Sequence, residues 1–193
     1  MNYDARKILV DVDGVLLNWE ESFTAWMLER GYEVQVQDHY KQSVRYGIEQ
    51  FTADRLIEQF NTSAWIGFIK PLRDAVSVID TMLSEHWHFE CITSLSDDHW
   101  AGELRRMNLE RFFGRAAFRR VRCIATGADK DDILREYKRG LWWVEDKPEN
   151  ALAGLEAGHK PLLVDHKYNR WFNHPDVRRV ENWEQIRQII LTS

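Results

Sequence analysis

The sequence has little of what would take it outside ordinary globular proteins. It holds two cysteines, Cys91 and Cys123, too few for a disulfide framework. Both lie in apolar stretches and read as small buried thiols, which suits a reducing, cytoplasmic compartment. No stretch approaches the ~18 consecutive apolar residues of a membrane span, so no membrane partner is expected. The opening MNYDARK runs straight into a short apolar segment, without the pattern of a secretory leader. Internal repeats and low-complexity linkers are absent. A basic excess is also lacking: the formal net charge is −5, which argues against a general nucleic-acid binder. One local exception is the stretch 103–122, where Arg105, Arg106, Arg111, Arg115, Arg119, Arg120 and Arg122 face only Glu103 and Glu110. It reads as a solvated face spread over a helix and a strand, the alternative being an anion-steering or partner-binding patch.

What is present is an ordinary soluble composition, 44% apolar and 30% charged over 193 residues. That length suits one compact domain with room for a modest insertion. Residues 7–12 form a short apolar run that stops in Asp-Gly, the pattern of a buried strand ending in a turn. From 18 to 70 the pattern is helical. Trp19, Phe23, Trp26 and Met27 recur at three- and four-residue spacing up to Gly31, and Leu56, Ile57 and Phe60 mark a second helix. Pro71 closes this block, and a helix follows over 74–85.

Thereafter strands and helices alternate. Strands are expected at 88–93, 120–124, 141–145 and 161–165, and helices at 97–107, 130–139, 148–157 and from Trp183. Pro148 near the start of its helix and Gly158 just past the end give the expected asymmetry. A polar aromatic loop, HKYNRWFNHPD, separates the last strand from the last helix. Such alternation implies an α/β fold, a five-stranded parallel sheet covered by helices on both faces. About fifty residues between the first two strands exceed what a crossover needs. Residues 18–70 are therefore read as a small helical cap on a core made of 1–17 and 71–193.

Ligands of an open parallel sheet bind beyond the carboxyl ends of its strands. There the sequence places Asp11, Asp13 and Gly14 after the first strand, Thr93 and Ser94 after the second, Lys130 past the third, and Glu145 and Asp146 after the fourth. Four carboxylates in one crevice repel one another and raise each other's pKa. A divalent cation resolves that conflict, and an all-oxygen set with room for water and phosphate favours magnesium. Thr93, Lys130 and backbone amides could face a phosphate beside it.

These residues resemble the motifs of haloacid dehalogenase-like hydrolases. Asp11-Val-Asp-Gly-Val-Leu is similar to their first motif, Thr93 to the second, Lys130 to the third, and Glu145-Asp146 with Asn150 to the fourth. The order and the elements match across 7–165. Further stretches, among them Asp11 through Phe23, Lys70-Pro71-Leu72 and Asp165 through Arg170, are similar to the 5′(3′)-deoxyribonucleotidases and their bacterial and phage relatives. That branch carries Asp-Asp in the fourth motif of its animal members, where this chain has Glu-Asp.

The resemblance implies a Rossmann-like core and a magnesium-dependent phosphatase with Asp11 as nucleophile and Asp13 as general acid and base. It implies magnesium held by the Asp11 carboxylate, the Asp13 carbonyl oxygen and Asp146, with Glu145 orienting metal-bound water. Gly14, Thr93, Ser94 and Lys130 would bind phosphate. Trp19 occupies the position where the branch sets an aromatic ring against the base, and Trp65 and Phe68 are weaker candidates for the same role. The implied substrate is a nucleoside monophosphate. A sugar phosphate, a nucleic-acid end and a silent binding protein are the alternatives.

Overall fold

The computed structural model describes residues 6–193; the leader-free reading of the chain's opening rests mainly on residues 1–5, outside the described residues. Six strands form one parallel sheet: β1 (Lys7–Val10), β2 (His88–Ser94), β3 (Phe118–Ile124), β4 (Trp142–Glu145), β5 (Lys160–Val164) and β6 (Arg178–Val180). Their order is β3-β2-β1-β4-β5-β6, with every pairing parallel. β1 is central because it is apolar on both faces, as a doubly covered strand must be. Leu9 points into a layer with Ile92, Leu134, Trp143, Ala153 and Ala157. Ile8 and Val10 point the other way, into a larger cluster with Phe89, Ile79, Met82, Trp183 and Ile186. Period-two alternation thus assigns α6 (Asp131–Arg135) and α7 (Pro148–Glu156) to one face. The other face is covered by α4 (Ala75–Ser84), α5 (His99–Phe113) and α8 (Trp183–Leu191).

Between β1 and β2 lie α1 (Trp19–Leu28), α2 (Gln42–Tyr46), α3 (Gln50–Asn61) and a 3₁₀ turn, Ala64–Phe68. The chain enters and leaves this segment side by side: Asn18 N–H donates to the Lys70 carbonyl at 2.8 Å and Leu72 N–H to the Leu16 carbonyl at 2.8 Å. Its interior is aromatic. Phe23, Trp26 and Phe60 meet with ring centroids 5.3 to 5.8 Å apart, and they are continuous with the cluster on the sheet. Asn61 donates to the Leu95 carbonyl (2.9 Å) and Asn108 to the Ile69 carbonyl (3.0 Å), two further ties to the core.

The sheet has a sixth strand where five were expected. β6 is three residues, Arg-Arg-Val, at the sheet edge, too short to show alternation; it holds its place by pairing with β5. α2 is likewise too short for periodicity. α5 runs on to Phe113 because polar Asn108 faces inward, which hides the stripe. α6 stops at Arg135, where the chain tightens and Tyr137 turns away to donate its hydroxyl proton to Glu90 (2.9 Å).

One glycine in α7 is there for packing. A Cβ on Gly154 would lie 2.3 Å from Cδ1 of the buried Trp143 ring. Gly154→Ala gains about 1 kcal/mol of helix propensity, but overpacking a closed core costs about 1–3 kcal/mol. The expected outcome is net destabilisation, read as a lower urea midpoint with an unchanged slope; a raised midpoint would show that this layer yields.

Candidate active site

All four strands that carry candidate residues point their carboxyl ends at one edge of the sheet. Val10 pairs with Cys91 on one side and Val144 on the other, so Asp11, Thr93 and Glu145 emerge together. The strand order reverses between β1 and β4, where neighbouring connections diverge and leave a crevice. Beyond it the chain turns at Gly14, whose φ is +74°, a value that disfavours side chains. A Cβ there would also strike Asp146 Oδ2 at 2.4 Å. Gly14 thus lets the first loop close over the fourth.

Lys130 is the hub. It is 1% exposed, and its ammonium lies 2.7 Å from Asp11 Oδ1 and 2.9 Å from Glu145 Oε2. The other Glu145 oxygen accepts from the Asp146 and Lys147 amides at 2.9 and 3.0 Å. Asp146 accepts a hydrogen bond from the Tyr168 hydroxyl, and its carbonyl accepts from Asn169 at 2.7 Å. Carboxylate oxygens of Asp11, Glu145 and Asp146 all lie within 4.8 Å of one another, close enough to share one metal ion.

The electrostatics follow from this crowding. Burial, then Glu145, pushes the Asp11 carboxyl up to about 8, against the pull of Lys130. Burial, with Glu145 and Asp11, raises Asp146 as well. Burial alone would raise Glu145, yet Lys130 and the hydrogen bonds it accepts hold it below the usual carboxylate range. For Lys130 burial works to lower the pKa, and Asp11 and Glu145 more than reverse it. Asp11 and Asp146 thus favour a bound proton or a cation between them, which is the donor chemistry a hard divalent ion requires.

Asp13 is apart from that cluster. Its carboxylate turns to Arg105 of α5, with Nη1 2.7 Å from Oδ1 and Nη2 donating to Oδ2 at 2.9 Å. The Arg105 side chain is fully buried, that of Asp13 about one quarter exposed. Burial raises the Asp13 pKa, opposed by Arg105. The metal-competent carboxylates are therefore Asp11, Glu145 and Asp146; Glu145 joins the set and the Asp13 side chain does not.

Asp11, Asp13, Gly14, Trp19, Thr93, Ser94, Lys130, Glu145 and Asp146 all line one cavity of about 1080 Å³ between the sheet edge and α1–α3. The Thr93 hydroxyl is buried, with no hydrogen-bond partner among the described residues. Ser94 donates its hydroxyl proton to the Ala128 carbonyl (2.9 Å), so the loop already engages it. Trp19 reaches the cavity rim with its indole N–H on Asn61 (3.0 Å) and its ring stacked on Phe23. Trp65 and Phe68 do not line the cavity. The 3₁₀ turn directs Trp65 toward Phe60 and leaves Phe68 on the surface beneath Arg111.

Sequence reasoning missed Arg105, His166, Tyr168 and Asn169. The three from the polar aromatic loop converge on the site: His166 donates from Nε2 to the Gly14 carbonyl (2.7 Å) and stacks on Tyr168. Three polar groups with ring stacking inside one short loop were the available signal. Three other arginines of the stretch form ion pairs within it or with a neighbouring helix. Arg106 pairs with Glu103, Arg115 with Glu110 and Arg122 with Glu136.

Removing the hub leaves buried acids without their cation. Lys130→Met is expected to destabilise the protein in chelator-containing buffer by about 3–5 kcal/mol, read by urea unfolding. An unchanged midpoint would show that the ion pairs contribute nothing net.

No family model matches the chain. An uncharacterized 32.4 kDa protein of Enterobacteria phage T4, from the Gp30-rIII intergenic region, is 27% identical over 189 residues, covering 93% of this chain and 67% of that protein. Among solved structures, a haloacid dehalogenase-like hydrolase from Streptococcus pneumoniae superposes with a TM-score of 0.67 at 13% identity, covering 98% of this chain and 100% of that one. A D,D-heptose 1.7-bisphosphate phosphatase from B. bronchiseptica, solved with magnesium and phosphate, superposes with a TM-score of 0.62 at 15% identity, covering 97% and 98%. The fold of this chain is that of the haloacid dehalogenase-like hydrolases.

Proposed function

We propose that this chain is a magnesium-dependent phosphomonoester hydrolase that works through an aspartyl phosphate on Asp11, with a nucleoside monophosphate as substrate. The observation that carries the reading is the pairing of a three-carboxylate cluster around Lys130 with an unpartnered, buried Thr93 hydroxyl in the same cavity. One half suits a cation, the other an anion. Residues 18–70 act as the cap that shelters them.

Asp11 attacks phosphorus in line with the leaving oxygen and becomes phosphorylated as the bond from phosphorus to that oxygen breaks, giving an acyl phosphate. Asp13, held off the cluster, gives its proton to the departing alkoxide and later removes one from the water that hydrolyses the intermediate. Thr93, Lys130 and loop amides, including that of Ser94, meet the equatorial oxygens, where transition-state charge collects. Asp11, Asp146 and the Asp13 carbonyl would hold magnesium, with Glu145 beside them. The ion would neutralise the acids and polarise a phosphoryl oxygen.

Trp19 on the cavity rim, with Tyr40 and Tyr168 in the lining, supports a flat base as the group beyond the phosphate. The polar roof, with His39, Gln42, Gln50 and Asp54, favours a second reading, a sugar phosphate. No helix among the described residues is long and apolar enough to cross a membrane. The free thiols of Cys91 and Cys123 support a cytoplasmic setting.

Phosphate release from a panel of nucleoside monophosphates and sugar phosphates, with and without magnesium, tests this reading. Turnover should require magnesium and favour nucleotides, and Asp11→Asn should remove it entirely. Turnover near wild type in Asp11→Asn would refute the nucleophile. Since a cation must displace the proton that the Asp11 carboxyl keeps up to about pH 8, magnesium affinity should rise with pH below that value, by up to about tenfold per unit. A flat dependence between pH 6 and 8 would place the ion elsewhere.

A further inference from the structure

The reading above leaves Arg105, a fully buried charge beside the site, without a task. Arg105 has no exposed side-chain surface, and it comes from the middle of α5, an element that supplies no other group to the phosphate site. Its neighbour Arg106 pairs at the surface with Glu103, the ordinary fate of an arginine in a charged helix. Desolvating a guanidinium is expensive unless its partner has fitting geometry. Arg105 has such a partner in Asp13, at 2.7 and 2.9 Å through two separate nitrogens. One contact is a hydrogen bond from Nη2 to Oδ2 and the other an ion-pair contact of Nη1 with Oδ1, and the two points together fix the plane of the carboxylate as well as its position. Lys130, the fully buried cation among the neighbouring acids, is engaged with Asp11 and Glu145 and leaves Asp13 to Arg105.

We propose that Arg105 is the positioning residue for the Asp13 carboxyl, holding it out of the metal-competent cluster and aimed at the leaving-group oxygen. The inference rests on the phosphatase reading. In the first step the P–O bond to the leaving group breaks with its electron pair going to that oxygen. The Asp13 carboxyl proton moves to the same oxygen, and the carboxylate left behind is received by the guanidinium fork. In the second step the carboxylate takes a proton from the attacking water. Without Arg105 the carboxyl is free to rotate toward Lys130 or out into the cavity, and proton delivery loses its alignment.

The expected loss therefore depends on how much the leaving group needs a proton. An alkyl phosphate such as a nucleoside monophosphate needs one; p-nitrophenyl phosphate departs as a stable phenolate. The quantity compared is kcat/KM, which covers the chemistry through the first irreversible step. Arg105→Met should lower it for the alkyl ester by about 10²-fold, toward the loss in Asp13→Asn, and for p-nitrophenyl phosphate by less than about tenfold. Arg105→Lys, which keeps the cation but not the fork, should fall between them and guards against a variant that fails to fold. On an Asp13→Asn background, Arg105→Met should add no further loss. Equal losses on both esters, or full additivity with Asp13→Asn, would overturn the assignment and leave Arg105 a packing residue. A wild-type chain that cleaves neither ester in magnesium would instead sink the phosphatase reading, and this inference with it.

Discussion

Everything at the carboxyl edge of the sheet depends on the attraction between one buried ammonium and the acids around it. Lys130 lies within ion-pair distance of both Asp11 and Glu145, at almost no solvent exposure. Burying like charges this close is unfavourable without compensation, and a single lysine compensates only in part. What remains appears as the raised pKa values of Asp11 and Asp146. The site is thus held short of neutral, and the shortfall is what a metal ion can fill.

The fold supplies the geometry for this cheaply. Parallel strands end at a common edge, so residues more than a hundred positions apart arrive together without long side chains. The order β3-β2-β1-β4-β5-β6 opens a crevice beside β1, between the acids of the first and fourth loops. The helical segment over it is tied down by the side-by-side stem at 16–18 and 70–72 and by the Asn61 bond to the loop after β2. Its aromatic interior is continuous with the sheet cluster. A segment packed in this way shelters the cavity without needing a hydrophobic core of its own.

The sheet and its acids were readable because they obey local rules. β1 is an unbroken apolar run, and Asp11, Asp13, Thr93, Glu145 and Asp146 stand at or just past the carboxyl ends of strands, where position alone implies convergence. β6 was hidden because three residues have no period. Trp65 and Phe68 were misplaced because aromatic content does not reveal the direction in which a 3₁₀ turn points its side chains. Arg105 was hardest of all. In a run of arginines only three-dimensional packing separates the one that turns inward from those that pair with a helical or sheet-edge neighbour. Tyr168 and His166 lay in a segment without periodicity, and the contact of His166 with Gly14 crosses most of the chain while that of Tyr168 with Asp146 joins two neighbouring connections.

The partners of the four acids differ in kind, and the difference sorts their roles. Asp11 and Glu145 share an ammonium, Asp146 has a phenol and a backbone-anchoring amide, and Asp13 alone has a guanidinium fork. A point charge such as Lys130 tolerates reorientation of the groups beside it, so Asp11 can turn within the crevice without losing its partner. A phenol donates one hydrogen bond and leaves the second Asp146 oxygen open to a cation. A guanidinium that meets both oxygens holds the Asp13 carboxyl to one orientation. Fully ionised, four carboxylates against Lys130 and Arg105 would leave a negative excess, and the raised pKa values of Asp11 and Asp146 show that protons offset part of it where no cation is bound. Proton or cation, an added positive charge at these acids keeps the protein interior from holding an uncompensated negative one.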